Sequence, residues 1–293
     1  MDETHWLAEQ FEENRGHLRG VAYRILGSLT EADDAVQETW LRLTRSGADS
    51  VENLGGWLTT VVARICMDML RARNARREQT LDEGLPQPPS KANKPADPEN
   101  EALLADSVGL ALLVVLDRLA PAERLAFVLH DMFDLPFEEI GSIVGRSPAA
   151  ARQLASRARR RVRGRPLPSR HFSEHRRVVD AFLAALRAGD FEGLVAVLDP
   201  ELEVHADLPA ALPSKPGTVR GAEFWARQAI TAARGARAAR VAVVNGEVGI
   251  VVAPHGKLLR VLRFTIADGK IKQLDVIGDP AHLAELELAV LEG

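Results

Sequence analysis

The stretch 137–163 restricts this chain more than any other. Phe137, Ile140, Gly141 and Val144 recur at helical spacing and stop at Gly145, a residue suited to closing a helix in the left-handed conformation. Ser147 then offers a side-chain cap, and Pro148 brings its fixed φ to the first position of a second helix. That helix collects Ala151, Leu154, Ala155, Ala158 and Val162 on one face and Arg152, Gln153, Ser156, Arg159, Arg160 and Arg163 on the other. Two short helices joined by a tight capped turn make a helix-turn-helix, whose second helix enters the major groove of DNA led by its N-terminal residues. Arg146, Ser147, Ala149, Ala150, Arg152 and Gln153 lie at that leading end, and Arg and Gln match the paired groups on guanine and adenine edges. Ser156 also lies on the DNA-facing side, and Arg157, Arg159, Arg160, Arg161 and Arg163 follow later, where phosphates are the natural partners. The plain alternative is a basic, solvated helix end favoured by the helix dipole.

The net charge of −4 would argue against nucleic acid if charge were spread evenly. It is not. Arginines concentrate at 71–77 and 152–165, and local clusters set a phosphate footprint. The single cysteine, Cys66, excludes a disulfide framework and a multi-cysteine metal site. No apolar run approaches the roughly 20 residues of a membrane span, and the acidic start Met1-Asp2-Glu3 is no secretion signal, so a cytoplasmic location without membrane partners is expected. No cofactor motif is present.

With 293 residues, two or three domains are expected. Residues 1–77 read as helices. A proline-rich linker occupies 78–100, helices resume over 101–164, and a hinge at 165–172 precedes a segment, 173–293, that mixes helix and strand. There the order is α-α-β-α-β-β-β-β-α, which implies a curved antiparallel sheet with helices on one face. Asp268-Gly269 is a two-residue hairpin turn by composition, and Asp279-Pro280 starts a last helix expected to reach about 291.

In the N-terminal block, a helix over 31–43 places Ala32, Val36, Trp40 and Leu43 on one face, and Asp33, Asp34, Gln37, Glu38 and Leu41 elsewhere, a surface suited to a protein partner as well as to plain solvation. A longer helix runs from Gly55-Gly56-Trp57 to Arg77 and carries Arg64, Arg71, Arg73 and Arg76. Trp57 there can stack on an unpaired base or sit in a core.

Taken together, FEENRGHLRGVAYRILGS at 11–28, DDAVQETWLRL at 33–43, WLTTVVAR at 57–64 with Asp68-Met69-Leu70-Arg71, and Leu116 to Arg163 resemble the extracytoplasmic-function (ECF) sigma factors, in the same order and with the same intervening linker. The resemblance implies that Asp33, Asp34, Gln37, Glu38, Trp40 and Leu41 bind core RNA polymerase. It implies that Trp57, Arg64, Arg71, Arg73, Arg76 and Arg77 serve the promoter −10 element, and that the helix-turn-helix reads the −35 element.

The C-terminal segment resembles the SnoaL-like domain of an ECF subgroup, a cone fold shared with nuclear transport factor 2. The resemblance rests on Asn245-Gly246, Val248–Val252, Asp268–Ile271 and Asp279-Pro280-Ala281-His282-Leu283. It implies a multidomain chain, two all-α domains followed by an α+β cone, and the last domain is expected to touch the sigma regions or linker and modulate them in cis. Where members often carry Asp-Gly-Gly-Gly, this chain reads Asp207-Leu208-Pro209-Ala210. His205, Asp207, His255 and Asp275 are candidate acid–base groups, but no spacing among them demands catalysis, so the domain reads as non-enzymatic. Two other readings stay open: a stand-alone helix-turn-helix regulator, and a DNA-binding front end on an isomerase- or cyclase-like enzyme.

Overall fold

A computed structural model describes residues 3–46, 53–82, 109–164, 171–207, 217–231 and 233–291. Its contacts separate two compact units. One holds residues up to Val108 together with Leu116–Arg159. The other holds Gly109–Val115 together with Arg160–Gly293.

In the first unit α1 (Glu3–Leu26), α2 (Leu29–Ser46) and α3 (Leu54–Asp82) pack around Leu18, Val21, Ile25, Val36, Leu43, Leu58, Val62 and Cys66, all buried. Burial pushes the Cys66 thiol well up, so it stays protonated. α3 continues through 78–82, where the sequence suggests a linker; the rest of that linker, 83–100, lies outside the described residues, as do 101–108. The next helix, α4 (Leu110–Asp117), starts in the second unit and ends in the first. α5 (Pro121–Phe127) runs into a π-helical turn, Val128–Met132, followed by α6 (Phe137–Val144) and α7 (Pro148–Arg163).

One cation ties these helices together. Arg124 on α5 is 1% exposed. Its Nε donates to the Arg24 carbonyl at 3.3 Å and its Nη1 to Asp117 Oδ1 at 3.2 Å. Arg73 on α3 reaches the same carboxylate oxygen at 3.3 Å, donates to the Leu26 carbonyl, and stands 3.5 Å from Glu31. Burial lowers the Arg124 pKa to about 10, against the pull of Asp117, and the group stays charged at neutral pH. A buried charge of this kind is tolerated only while its partners remain.

In the second unit α8 (Phe172–Ala188), α9 (Phe191–Val197) and α10 (Ala222–Thr231) cover one face of a seven-stranded sheet. Its strands are β1 (Leu198–Ala206), β2 (Gly217–Arg220), β3 (Ala239–Val244), β4 (Glu247–Val252), β5 (Arg260–Ala267), β6 (Lys270–Ile277) and β7 (Leu288–Ala289), in the order β2-β1-β6-β5-β4-β3-β7. Phe182 sits between Trp225 and Phe264, with ring centroids 5.7 and 5.2 Å away.

The Asp268-Gly269 hairpin forms as its composition requires, with φ of 54° and 71°. Three features depart from the sequence reading. The sheet is mixed, because β1 runs parallel to β6. The edge strand β2 carries no alternation long enough to announce itself. The final helix, α11 (Pro280–Glu285), stops early, and Leu288–Ala289 pair with Val243 and Val244 instead, since an unpaired β3 edge is satisfied better by strand hydrogen bonds than by two more helical turns. Beyond β7, the Val290 N–H donates to the Val162 carbonyl at 2.8 Å.

Asp207 closes the sheet's open end. It accepts from the Gly278 and Asp279 N–H groups and from His282 Nδ1 at 3.1 Å. Burial opposes ionisation of this carboxyl, but the Gly278 N–H, His282 and the Asp279 N–H outweigh it and hold its pKa below 3.8. Asp207 in turn raises His282 above 6.5. The contribution of His282 is therefore complete below 6.5 and lost as pH rises through its raised value, while that of Asp207 is lost as pH falls through its lowered value.

Two outcomes are expected. Asp117→Ala leaves Arg124 buried without a counter-ion and should cost about 3 kcal/mol in denaturant unfolding. The His282 imidazole should titrate above 6.5 by proton NMR and return towards 6.5 in Asp207→Asn.

Candidate nucleic-acid interface

The helix-turn-helix is built as its residues dictate. Ile140, Ile143 and Val144 of α6 are buried, and Gly145 closes the helix at φ 71°. Gly141 permits the turn to cross tightly, because a Cβ there would stand 2.7 Å from the Arg146 carbonyl oxygen. The Arg146 N–H donates to the Gly141 carbonyl at 2.9 Å, and Ser147 Oγ accepts from the Ala150 N–H at 3.2 Å. α7 buries Ala151, Leu154, Ala155, Ala158 and Val162, and these fix its rotation.

That rotation leaves Arg146, Ser147, Ala149, Arg152, Gln153, Ser156 and Arg160 exposed and Ala150 half-buried. Arg152 lies over the Phe137 ring with its guanidinium carbon 5.1 Å from the centroid, which orients it without using its donors. Arg157 and Arg159 are engaged differently. Arg157 pairs with Glu123 at 2.9 Å, and Arg159 pairs with Asp131. Both brace α7 against the preceding helices, and each must share its charge with a carboxylate.

On α3 the candidate residues split. Trp57, Val61 and Arg64 join Arg42 and Arg45 of α2 around a cavity of about 400 Å³. Trp57 is half-exposed there and is no core residue. Three guanidinium groups beside an indole suit an unpaired base and its phosphates. Arg42 and Arg45 were not singled out from the sequence. Their i, i+3 spacing was visible, but which face of α2 meets α3 was not. Arg42 also pairs with Glu38 at 3.2 Å.

Arg64 donates to Ser142 Oγ on α6 at 3.1 Å. Arg71 pairs with Asp68 at 3.9 Å, and Arg76 donates to the Ala72 carbonyl. Arg73 is turned inward to Asp117 and Glu31, so in this form it serves packing rather than phosphates. The Arg77 side chain lies outside the described residues.

On α2, Asp34, Gln37 and Leu41 are exposed, Leu41 to 39%. Asp33 is held by Arg19 at 2.6 Å. Trp40 packs on Phe11, with centroids 5.1 Å apart, and is partly structural.

In the second unit His205, Asp207 and Asp275 share one cavity, whereas the His255 side chain lies outside the described residues. No described helix is long and apolar enough to cross a membrane.

Comparison with known proteins shows the family. Residues 10–76 match the family model for sigma-70 region 2, and residues 109–162 match that for sigma-70 region 4. The ECF RNA polymerase sigma factor SigJ of Mycobacterium tuberculosis is 37% identical over 287 residues, spanning 92% of this chain and 91% of its own. The crystal structure of the same factor covers 94% of this chain and 97% of its own at 34% identity, with a TM-score of 0.45. An NTF2-like protein of unknown function from Cytophaga hutchinsonii covers 38% of this chain and 95% of its own at 19% identity, with a TM-score of 0.27. The class is thus a sigma-70-type initiation factor with two helical sigma regions, followed here by a C-terminal domain of helices on a mixed sheet. Within that class, the chain belongs to the ECF RNA polymerase sigma factors, which direct transcription initiation.

Gly141→Ala is expected to force the turn apart at Arg146. It should cost about 1–3 kcal/mol in thermal unfolding and weaken binding to promoter duplex in a gel-shift assay.

Proposed function

We propose that this sigma factor engages core RNA polymerase through the exposed face of α2, led by Asp34, Gln37 and Leu41. Region 4 reads the −35 duplex through Arg146, Ser147, Arg152 and Gln153, and region 2 receives an unpaired −10 base in the cavity of Trp57, Arg64, Arg42 and Arg45. The observation that carries this reading is the capped turn from Gly145 to Pro148. It sets Arg152 and Gln153 at the leading end of a helix whose opposite face is fully buried. The work is done in the cytoplasm, where polymerase and promoter are.

The C-terminal domain acts in cis on region 4. Supporting this, the backbone after β7 is bonded to Val162, in the last turn of the helix-turn-helix, by Val290. α4, whose end carries Asp117, also begins among residues that cluster with the sheet. The domain is a regulatory module rather than an enzyme. Asp207, one of its candidate acid–base groups, is committed to two backbone N–H groups and His282.

Arg64 also bonds Ser142 on α6 through Nη2, so its hold on DNA competes with a contact between α3 and α6. A factor balanced in this way responds only to partners that prefer one state over the other.

Run-off transcription with core polymerase tests the reading. Full-length protein should initiate at a promoter bearing its cognate −35 and −10 elements, and a form truncated after Arg165 should differ in output or polymerase affinity. No initiation by either form would end the sigma reading for this chain, and identical behaviour would end the cis-regulatory one.

A further inference from the structure

The face of the C-terminal sheet turned away from its helices carries a polar row. Strand register sets Thr218 on β2 beside His205 on β1, His205 beside Asp275 on β6, and Asp275 beside Arg263 on β5. Their neighbours of opposite parity, Val204, Leu274, Val276 and Phe264, are buried in the helix-side core, so the four polar side chains project the other way. With the Asp207–His282 pair at one end and Ile277 beside them, they line an open cavity of about 400 Å³.

Folding makes little use of this row. Arg263 is half-buried, and among the described residues nothing pairs with its guanidinium. Asp275 takes one hydrogen bond, from Gln273 Nε2 to Oδ1 at 2.8 Å, and its Oδ2 has no partner among the described residues. His205 has only loose neighbours, Thr218 Oγ1 at 3.5 Å and Glu203 at 3.7 Å. Directly opposed residues stand about 5 Å apart at Cβ. Opposite charges at that spacing normally close on each other, yet Arg263 and Asp275 do not pair. Each instead offers its charge to the cavity, close enough for one small head group to touch both.

The chemistry of that head group follows. A guanidinium fork matches a carboxylate through two parallel N–H···O bonds. A carboxylate beside it accepts from a hydroxyl or ammonium group. Ile277, of the same parity as Asp275, gives the cavity an apolar wall. We propose that this cavity binds a small organic carboxylate carrying a hydroxyl or ammonium group on the adjacent carbon, with Arg263 on the carboxylate and Asp275 and His205 on the neighbouring donor. The site goes beyond the sigma function and is assayed without it, so its failure and that of the cis-regulatory reading are separate results.

Mandelate and phenylglycine serve as probes, since they share one skeleton and differ only in hydroxyl against ammonium. Each is titrated into the full-length chain up to about 10 mM and followed by calorimetry and amide chemical shifts. At least one should bind, with shifts centred on His205, Thr218, Arg263 and Asp275. Binding of mandelate alone assigns the hydroxy-acid class, of phenylglycine alone the amino-acid class, and of both a site governed by the carboxylate. Arg263→Gln should weaken binding about tenfold or more. Arg263→Lys keeps the charge but loses the fork, and should fall between wild type and Arg263→Gln while unfolding like wild type. Absence of binding by both probes overturns the proposal. So do shifts centred elsewhere, or equal affinity in Arg263→Gln.

Discussion

Arg124 places a guanidinium where four segments meet: the end of α1 through the Arg24 carbonyl, α3 through Arg73, α4 through Asp117, and its own helix α5. Desolvating such a group costs several kcal/mol, and the attraction of Asp117 does little more than offset this. The value of the arrangement lies in specificity. Any shift of α5 against α1 or α3 strands the charge, so the helices of region 2 and of region 4 keep one relative register while it holds. Everything α5 supports inherits that register, including the Glu123–Arg157 and Asp131–Arg159 pairs that brace the recognition helix.

The same principle separates what the sequence could reveal from what it could not. The helix-turn-helix was legible because its determinants are local. A left-handed glycine, a serine cap and a proline at the first position act within a few residues, and the apolar spacing of α7 fixes which arginines face outward. The hairpin at Asp268-Gly269 was legible for the same reason. The parallel pairing of β1 with β6 was not, because it joins residues roughly seventy positions apart and leaves no pattern distinguishing it from antiparallel pairing. The end of the last helix, expected near 291, was not legible either, because only the vacant β3 edge shows why the chain leaves the helix after Glu285 and extends.

The candidate site divides along the same line. The outward placement of Arg152 and Gln153 could be read from α7 alone. Arg42 and Arg45 needed the packing of α2 on α3. Arg73 shows the reverse case, a residue whose place in an arginine-rich helix suggests phosphate but whose neighbours, Asp117 and Glu31, claim it for packing. Sequence reasoning counts cations. It cannot tell which of them the fold has already neutralised.

These engagements bear on how the factor works. Arg64 is held by a single hydroxyl at an exposed site, whereas Arg73 is held by carboxylates beside a buried cation. The two contacts lie on one helix yet differ in how easily they yield. Arg64 can turn from Ser142 without disturbing any buried charge, whereas Arg73 leaves two carboxylates, Asp117 and Glu31, when it moves. Opening between α3 and α6 is therefore expected to begin at the Arg64 end, next to the cavity of Trp57, Arg42 and Arg45, and to leave the Arg124–Asp117 contact closed.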